Sequence, residues 1–95
     1  MATRAIVIDS RDDVAVVVED VKEGAAIEAQ SAAGMQVLAA RQDIAAGHKV
    51  ALRDISAGHP ILKYGEKIGL ALTDIRRGDH VHIHNLASDR VKAGR

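Results

Sequence analysis

One short motif, used four times, limits this sequence more than any other feature: Asp-[Val/Ile]-x-x-Gly-x-x-[Ile/Val]. The copies begin at Asp20, Asp43, Asp54 and Asp74, place their glycines at Gly24, Gly47, Gly58 and Gly78, and close on Ile27, Val50, Ile61 and Val81. Each position has a mechanical reading. The Asp carboxylate accepts backbone N–H bonds from the residues that follow it and closes an Asx-type turn. The Val or Ile points into a core, and the glycine takes the positive φ that reverses the chain into the next strand. The copies are unevenly spaced along the chain, so they do not make a regular solenoid. They make one turn device reused in a compact fold of bent hairpins. Around the copies, Val and Ile gather in runs of 4–6 residues, at 4–8, 14–19, 24–29, 35–40, 49–52, 60–64, 67–72 and 80–84, each of which reads as a strand. No stretch carries a helical apolar period between start and stop signals, and Gly24 and Gly34 bracket the Ala-rich segment 23–33 too tightly for a helix. The expectation is an all-β domain of short, strongly bent strands.

Composition then removes whole classes of function. Thirteen basic and 13 acidic side chains cancel, and Tyr64 is the sole aromatic; a nucleic-acid surface wants a basic patch and stacking rings. With no cysteine, a disulfide framework, a thiolate zinc site and a cysteine nucleophile are all excluded. No apolar run approaches the ~18 residues of a membrane span and the N-terminus lacks a signal-peptide layout, so the expected location is cytoplasmic, without membrane contact. Residues 1–86 are expected to form a single domain. Residues 87–95, which lose the pattern and are rich in basic groups, are expected to form a C-terminal tail. A pocket of ~300 Å³ or more is hard to build in 95 residues of short strands, so a complete enzyme is not expected of this chain alone.

What chemistry there is must fall to imidazole, carboxylate, ammonium and amide groups. All five histidines lie between residues 48 and 84, three of them in the run His80-Val81-His82-Ile83-His84-Asn85. On a strand, His80, His82 and His84 would share an open face while Val81 and Ile83 face the core. Same-face neighbours stand roughly 6.5–7 Å apart, so adjacent members of the set can converge on one metal ion, with further ligands from elsewhere. His80 and His84, at twice that distance, cannot. Plain polar-out alternation is the competing reading, and ligand, general base and anion contact all stay open for the functional one. His48 and Lys49 follow Gly47; if they reach the same face, the site gains an imidazole and an ammonium suited to a carboxylate. His59, which follows Gly58, has no such support. Lys63-Tyr64-Gly65 reads as a hairpin turn, with Tyr64 either a lid on the core or, with Lys63, a contact to substrate or partner. Asp9, Asp12 and Asp13 form a carboxylate cluster, either a solvated loop or a source of oxygen ligands for a divalent cation.

Three segments, taken together, resemble a known family. They are Asp43-Ile-Ala-Ala-Gly-His-Lys-Val-Ala-Leu-Arg-Asp-Ile, Ile61-Leu-Lys-Tyr-Gly-Glu-Lys-Ile-Gly and Asp74-Ile-Arg-Arg-Gly-Asp-His-Val-His-Ile-His-Asn-Leu86. With their Gly-His-Lys, Lys-Tyr-Gly and Val-His-x-His-Asn elements in this order, they are similar to the small N-terminal domain of the altronate/galactarate dehydratase family. The resemblance covers residues 12–86 and implies a SAF-type β-clip fold. It also implies a carbon–oxygen lyase component, inactive alone: a small subunit assisting elimination of water from a sugar acid at an active site completed by a large catalytic subunit. Sulfolactate sulfo-lyases have a related two-subunit layout. Carried over motif by motif, the site residues are His82, His84 and Asn85, assisted by His48 and Lys49, with Lys63 and Tyr64 toward substrate. His82 and His84 would be ligands of a divalent ion, Fe2+ or Mn2+. The family's Asp-Asn-Val-Ala pattern stands here as Asp12-Asp13-Val14-Ala15, and Asp9 lies where the family often has a His. The alternative is a non-catalytic SAF module that binds carbohydrate or a partner, and a homo-oligomer is among the forms open to it.

Overall fold

The computed structural model describes residues 2–88, which form nine strands and no helix. In chain order they are β1 (Thr3–Ile6), β2 (Val14–Val17), β3 (Ala26–Ser31), β4 (Gly34–Ala39), β5 (Lys49–Ala51), β6 (Pro60–Lys63), β7 (Glu66–Ala71), β8 (His80–Val81) and β9 (Leu86–Ser88). Six of them form one sheet in the order β4-β3-β1-β2-β5-β8, and β6-β7-β9 form a second. β1 and β3 run parallel, and the other pairs are antiparallel. With no helix among the described residues, none is long and apolar enough to cross a membrane. The all-β expectation holds, in the form of two curled sheets.

The repeated motif works in pairs. In each copy the residue after the Gly donates to the carbonyl three positions back, Ala25 to Lys22, His48 to Ala45, His59 to Ser56 and Asp79 to Arg76, at 2.9–3.0 Å. The glycine at the third position has a φ of 85–95°, which defines a type II turn. The Asp carboxylates do something the sequence does not announce. Rather than closing their own turns, they reach across to a second copy: Asp20 accepts from the N–H of Ala46 and Asp43 from that of Glu23, while Asp54 accepts from Arg77 and Asp74 from Ala57. The apolar residues next to them pair in the same way, Val21 with Ile44 and Ile55 with Ile75, through isolated bridges. The glycine N–H groups complete the exchange, from Gly24 to Ala40, Gly47 to Val17, Gly58 to Ala71 and Gly78 to Ala51. Copies one and two therefore clasp each other, and so do copies three and four, each pair about a local two-fold relation.

Two small cores lie on opposite sides of β2 and β5. Side chains alternate across a strand, and the unbroken apolar run of β2 serves both sides. Ala15 and Val17 join Val50, Ile27, Leu38 and Ile44 in one cluster; Val14 joins Ala51, Val81, Ile61 and Ile75 in the other. Asp12, only 1% exposed, ties the N-terminal loop to the second sheet. Its carboxylate accepts from the N–H of Gly65 at 2.8 Å and of Asp9 at 3.2 Å, and Asp13 accepts from Leu62 at 2.8 Å. Asp12 and Asp13 thus anchor segments to one another, while Asp9 binds the exposed Arg11 within the loop.

Two expectations about the C-terminal part change. The strand expected over 80–84 stops at Val81, and Ile83 is 81% exposed rather than in the core. The ordered fold also passes the boundary expected at residue 86, because Ala87 and Ser88 continue β9 along β7. Gly69 makes this pairing close: a Cβ there would strike the carbonyl of Ala87. The remainder of the expected tail, 89–95, lies outside the described residues.

Candidate functional site

Pairing of β5 with β8 sets Lys49 opposite Val81 and Val50 opposite His80. His48, at the end of its type II turn, is thereby delivered to the start of β8, far away in sequence. Its Nδ1 lies 2.9 Å from Nε2 of His80, one ring donating and the other accepting. The His48 ring stacks on His82 at a centroid distance of 4.2 Å and on His80 at 5.1 Å. His84 completes the group at 5.1 Å from His80.

Asn85 produces this convergence. After Val81 the chain folds over itself, with the N–H groups of Asn85 and Leu86 both donating to the carbonyl of His82. The Asn85 side chain closes the turn from inside: Oδ1 accepts from the N–H of His82 and Nδ2 donates to the carbonyl of His80, each at 2.9 Å. A side-chain amide that satisfies local backbone groups competes directly with continued strand pairing. That competition ends β8 at Val81 and brings His84 back to His80, which an extended strand would not do. Asn85 is buried and its amide is engaged with backbone, so it acts as a positioning residue.

A polar network holds the other end of β8. The N–H of His80 donates to Oε1 of Gln42, whose amide donates to Asp79, and Asp79 also receives Arg41 at 2.7 Å and the N–H of Arg76. Burial pushes the Asp79 carboxyl up, but the Arg76 N–H, Gln42 and Arg41 together hold it below the ordinary carboxylate value. His80, Gln42, Arg41 and Asp79 were not in the expected site set. Only His80 carried a sequence signal, as a member of the histidine run; Arg41 and Gln42 reach Asp79 from a distant part of the sequence.

Burial, followed by the charges of the surrounding histidines and Lys49, lowers the pKa of both His80 and His82. Neutral imidazoles at neutral pH can take up a proton or bind an ion. Lys49 is likewise lowered, first by burial and then by Lys63. Lys49, Lys63 and His82 line an open groove of ≈ 510 Å³ with Ile68, Ile83 and Leu86. On the other side of the cluster, His48 and His80 border a hollow of ≈ 280 Å³ with Val21 and Ile44. Tyr64 lines a separate recess of ≈ 130 Å³ with Ile6, Ile8 and Val14; it meets the site through Lys63, whose Nζ lies 3.5 Å from its ring centroid, and through its charge interaction with Lys49. His59 stays exposed, apart from the cluster's ring contacts.

The donor set is rich in nitrogen but incomplete as a metal site. Among the described residues no group of three or more His, Asp or Glu side chains is disposed to hold a metal ion. The facing pair of ring nitrogens is His48 Nδ1 and His80 Nε2.

The sequence also matches known proteins. Residues 3–89 match the altronate/galactarate dehydratase SAF domain. The chain is 46% identical over 80 residues to an altronate dehydratase of Escherichia coli (strain K12), covering 84% of this chain and 15% of that protein. It is 36% identical over 80 residues to an altronate dehydratase of Bacillus subtilis (strain 168), with the same coverage. It is 47% identical over 53 residues to the (2R)-sulfolactate sulfo-lyase subunit alpha of Paracoccus pantotrophus, covering 56% of this chain and 79% of that subunit. The chain thus spans about a seventh of the altronate dehydratases it matches and most of the sulfo-lyase subunit.

Proposed function

Because the chain belongs to the altronate/galactarate dehydratase SAF domain family, we propose that it is the histidine-bearing component of a hydroxy-acid lyase whose active site is completed by a much larger catalytic part. The convergence of His48 with His80, His82 and His84 beside Lys49 carries this reading. In the elimination, a neutral imidazole takes the proton α to a carboxylate, the bond from the β-carbon to its hydroxyl breaks, and the departing oxygen leaves as water after receiving a proton. A sulfo-lyase variant expels sulfite from the same position. His82, stacked on His48 and facing the groove, is the base or acid that meets substrate; His48 and His80 share a hydrogen bond that fixes their tautomers in concert. Lys49 faces the developing charge on the carboxylate. A divalent ion, if the holoenzyme uses one, takes at most part of its ligand set from these imidazoles and the rest from the larger part.

The altronate dehydratase of Escherichia coli offers a direct test. Its matching segment is replaced by this chain, and dehydration of altronate is measured. The chimera is expected to turn over, and His82→Ala or His48→Ala to lower kcat at least about 100-fold. Unchanged turnover in both variants would end the proposal. Exposed Ile83 at the tip of the turn favours a second reading, in which the turn serves docking alone. On that reading, His82→Ala weakens assembly of the chimera's two parts and leaves kcat per assembled enzyme intact.

A further inference from the structure

The groove beside the histidine turn has a chemistry of its own. Lys49 and Lys63 both line it, close enough for Lys63 to disfavour the charge on Lys49. Neither has a carboxylate partner among the described residues. Glu66 and Lys67 also line the groove and balance each other in charge, which leaves these two lysines in excess. The floor is apolar, from Ile68, Ile83 and Leu86, and His82 closes one wall. Low-dielectric walls strengthen an unpaired cationic field, and the open groove of ≈ 510 Å³, larger than expected of so short a chain, is in the size range of small-molecule sites.

Tyr64 adds an independent observation. It has φ 60°, a left-handed conformation, as the first central residue of the two-residue turn between β6 and β7. Asn, Asp and Gly are favoured there, and a bulky aromatic is strained. Its ring covers little core, being 55% exposed, but it lies directly under the Lys63 ammonium. The cation–π contact limits the positions open to Lys63.

We propose that this groove is an anion seat, in which Lys49 and Lys63 receive the carboxylate or sulfonate of a small organic acid and Tyr64 positions Lys63 for it. That the anion is an organic acid rests on the lyase reading; the seat itself lies within this chain and requires no partner to bind.

The test uses the intact chain, isotope-labelled, with backbone amide shifts read at constant ionic strength. It is titrated with tartrate as a short hydroxy-diacid, with sulfate as an inorganic anion, and with erythritol as a neutral polyol of the same carbon number. Saturable shifts at Lys49, Lys63, Ile68, His82 and Ile83 are expected with tartrate and none with erythritol. Sulfate saturating at the same residues but more weakly marks an organic-acid seat; sulfate binding as tightly as tartrate overturns the organic-acid assignment. K63Q is expected to weaken tartrate at least fivefold, and K22Q, far from the groove, to leave it unchanged. Y64F should bind as the parent does and Y64L as weakly as K63Q, with unaltered thermal unfolding. Shifts that never saturate, or an unaffected K63Q, overturn the seat; an unaffected Y64L overturns the positioning role. A chain that seats tartrate but supports no turnover in the chimera sinks the lyase reading and leaves the seat standing. An active chimera with an unaffected K63Q does the reverse.

Discussion

Asn85 shows how much one side chain decides here. Its two backbone hydrogen bonds turn an apolar-alternating stretch that reads as a strand into a loop that gathers imidazoles. Asn85→Ala leaves a buried N–H and C=O unpaired, a loss of about 1–3 kcal/mol, which urea unfolding would measure. Asn85→Asp keeps the acceptor and loses the donor, so it should fall between Ala and the parent. The imidazoles themselves make stability depend on pH. The folded-state pKa values of His80 and His82 are depressed below the ordinary histidine value by burial and then by their neighbours. The unfolded chain therefore binds protons more readily, and stability rises with pH in this range. It is complete above the ordinary histidine value near 6.5 and declines as pH falls below it. Thermal melts in chelator-treated buffer between pH 7.5 and 5 should show a falling midpoint, and the double variant His80→Gln, His82→Gln a flatter one. A midpoint that rises on acidification would contradict the partly buried, mutually repelling arrangement.

The elements are organised by the clasped turns. Each Asp carboxylate caps an N–H of its paired copy, so removing one costs about 1 kcal/mol, as for other capping side chains. Asp54→Ala and Asp74→Ala, within one clasp, should be non-additive, whereas Asp20→Ala combined with Asp74→Ala should add, being in different clasps. Chemical denaturation of the single and double variants would decide this. The glycines of the turns differ in a way that sequence alone does not reveal. Gly24 faces open space, while a Cβ on Gly78 would enter the carbonyl of Ala39 and crowd Arg41. Both have positive φ, so both Ala variants are strained, with Gly78→Ala the more damaging. The strands β1 to β7 and the Tyr64–Gly65 turn were legible in the sequence because period, β-branching and turn residues are local signals. The partners of the Asp carboxylates were not, since a carboxylate beside a turn fits its own N–H groups as well as those of another copy. β8 was overestimated because its alternation was intact and its competitor, one Asn amide, is an ordinary residue in sequence. β9 was missed because so short a strand beside a basic segment carries no period.

At the scale of the molecule, the two cores share β2 and β5 instead of lying in separate lobes. Ile44 and Ile75 are each 1% exposed, one in each core. Either Ile→Ala change should cost about 2–5 kcal/mol, a large share of the roughly 5–15 kcal/mol typical of a domain. Melting of the two single variants would check this. The histidine group was legible as a cluster, and its extension to His48 only as a condition, because the β5–β8 pairing that meets it is a long-range fact. The clasps also set an order of assembly. The segments that pair within a clasp, Val21 with Ile44 and Ile55 with Ile75, are closer in sequence than β5 is to β8, and short loops close sooner than long ones. The brief ladder of β5 with β8, Lys49 to Val81 and Val50 to His80, therefore closes the longer loop and carries little pairing of its own. It should be the last contact made and the first released, so amides of His80 to Asn85 should exchange with deuterium sooner than those of Val21 and Ile44. The histidine site is then a late-closing seam, assembled only after both halves have folded, and any ligand that grips it would stabilise the step that is completed least firmly.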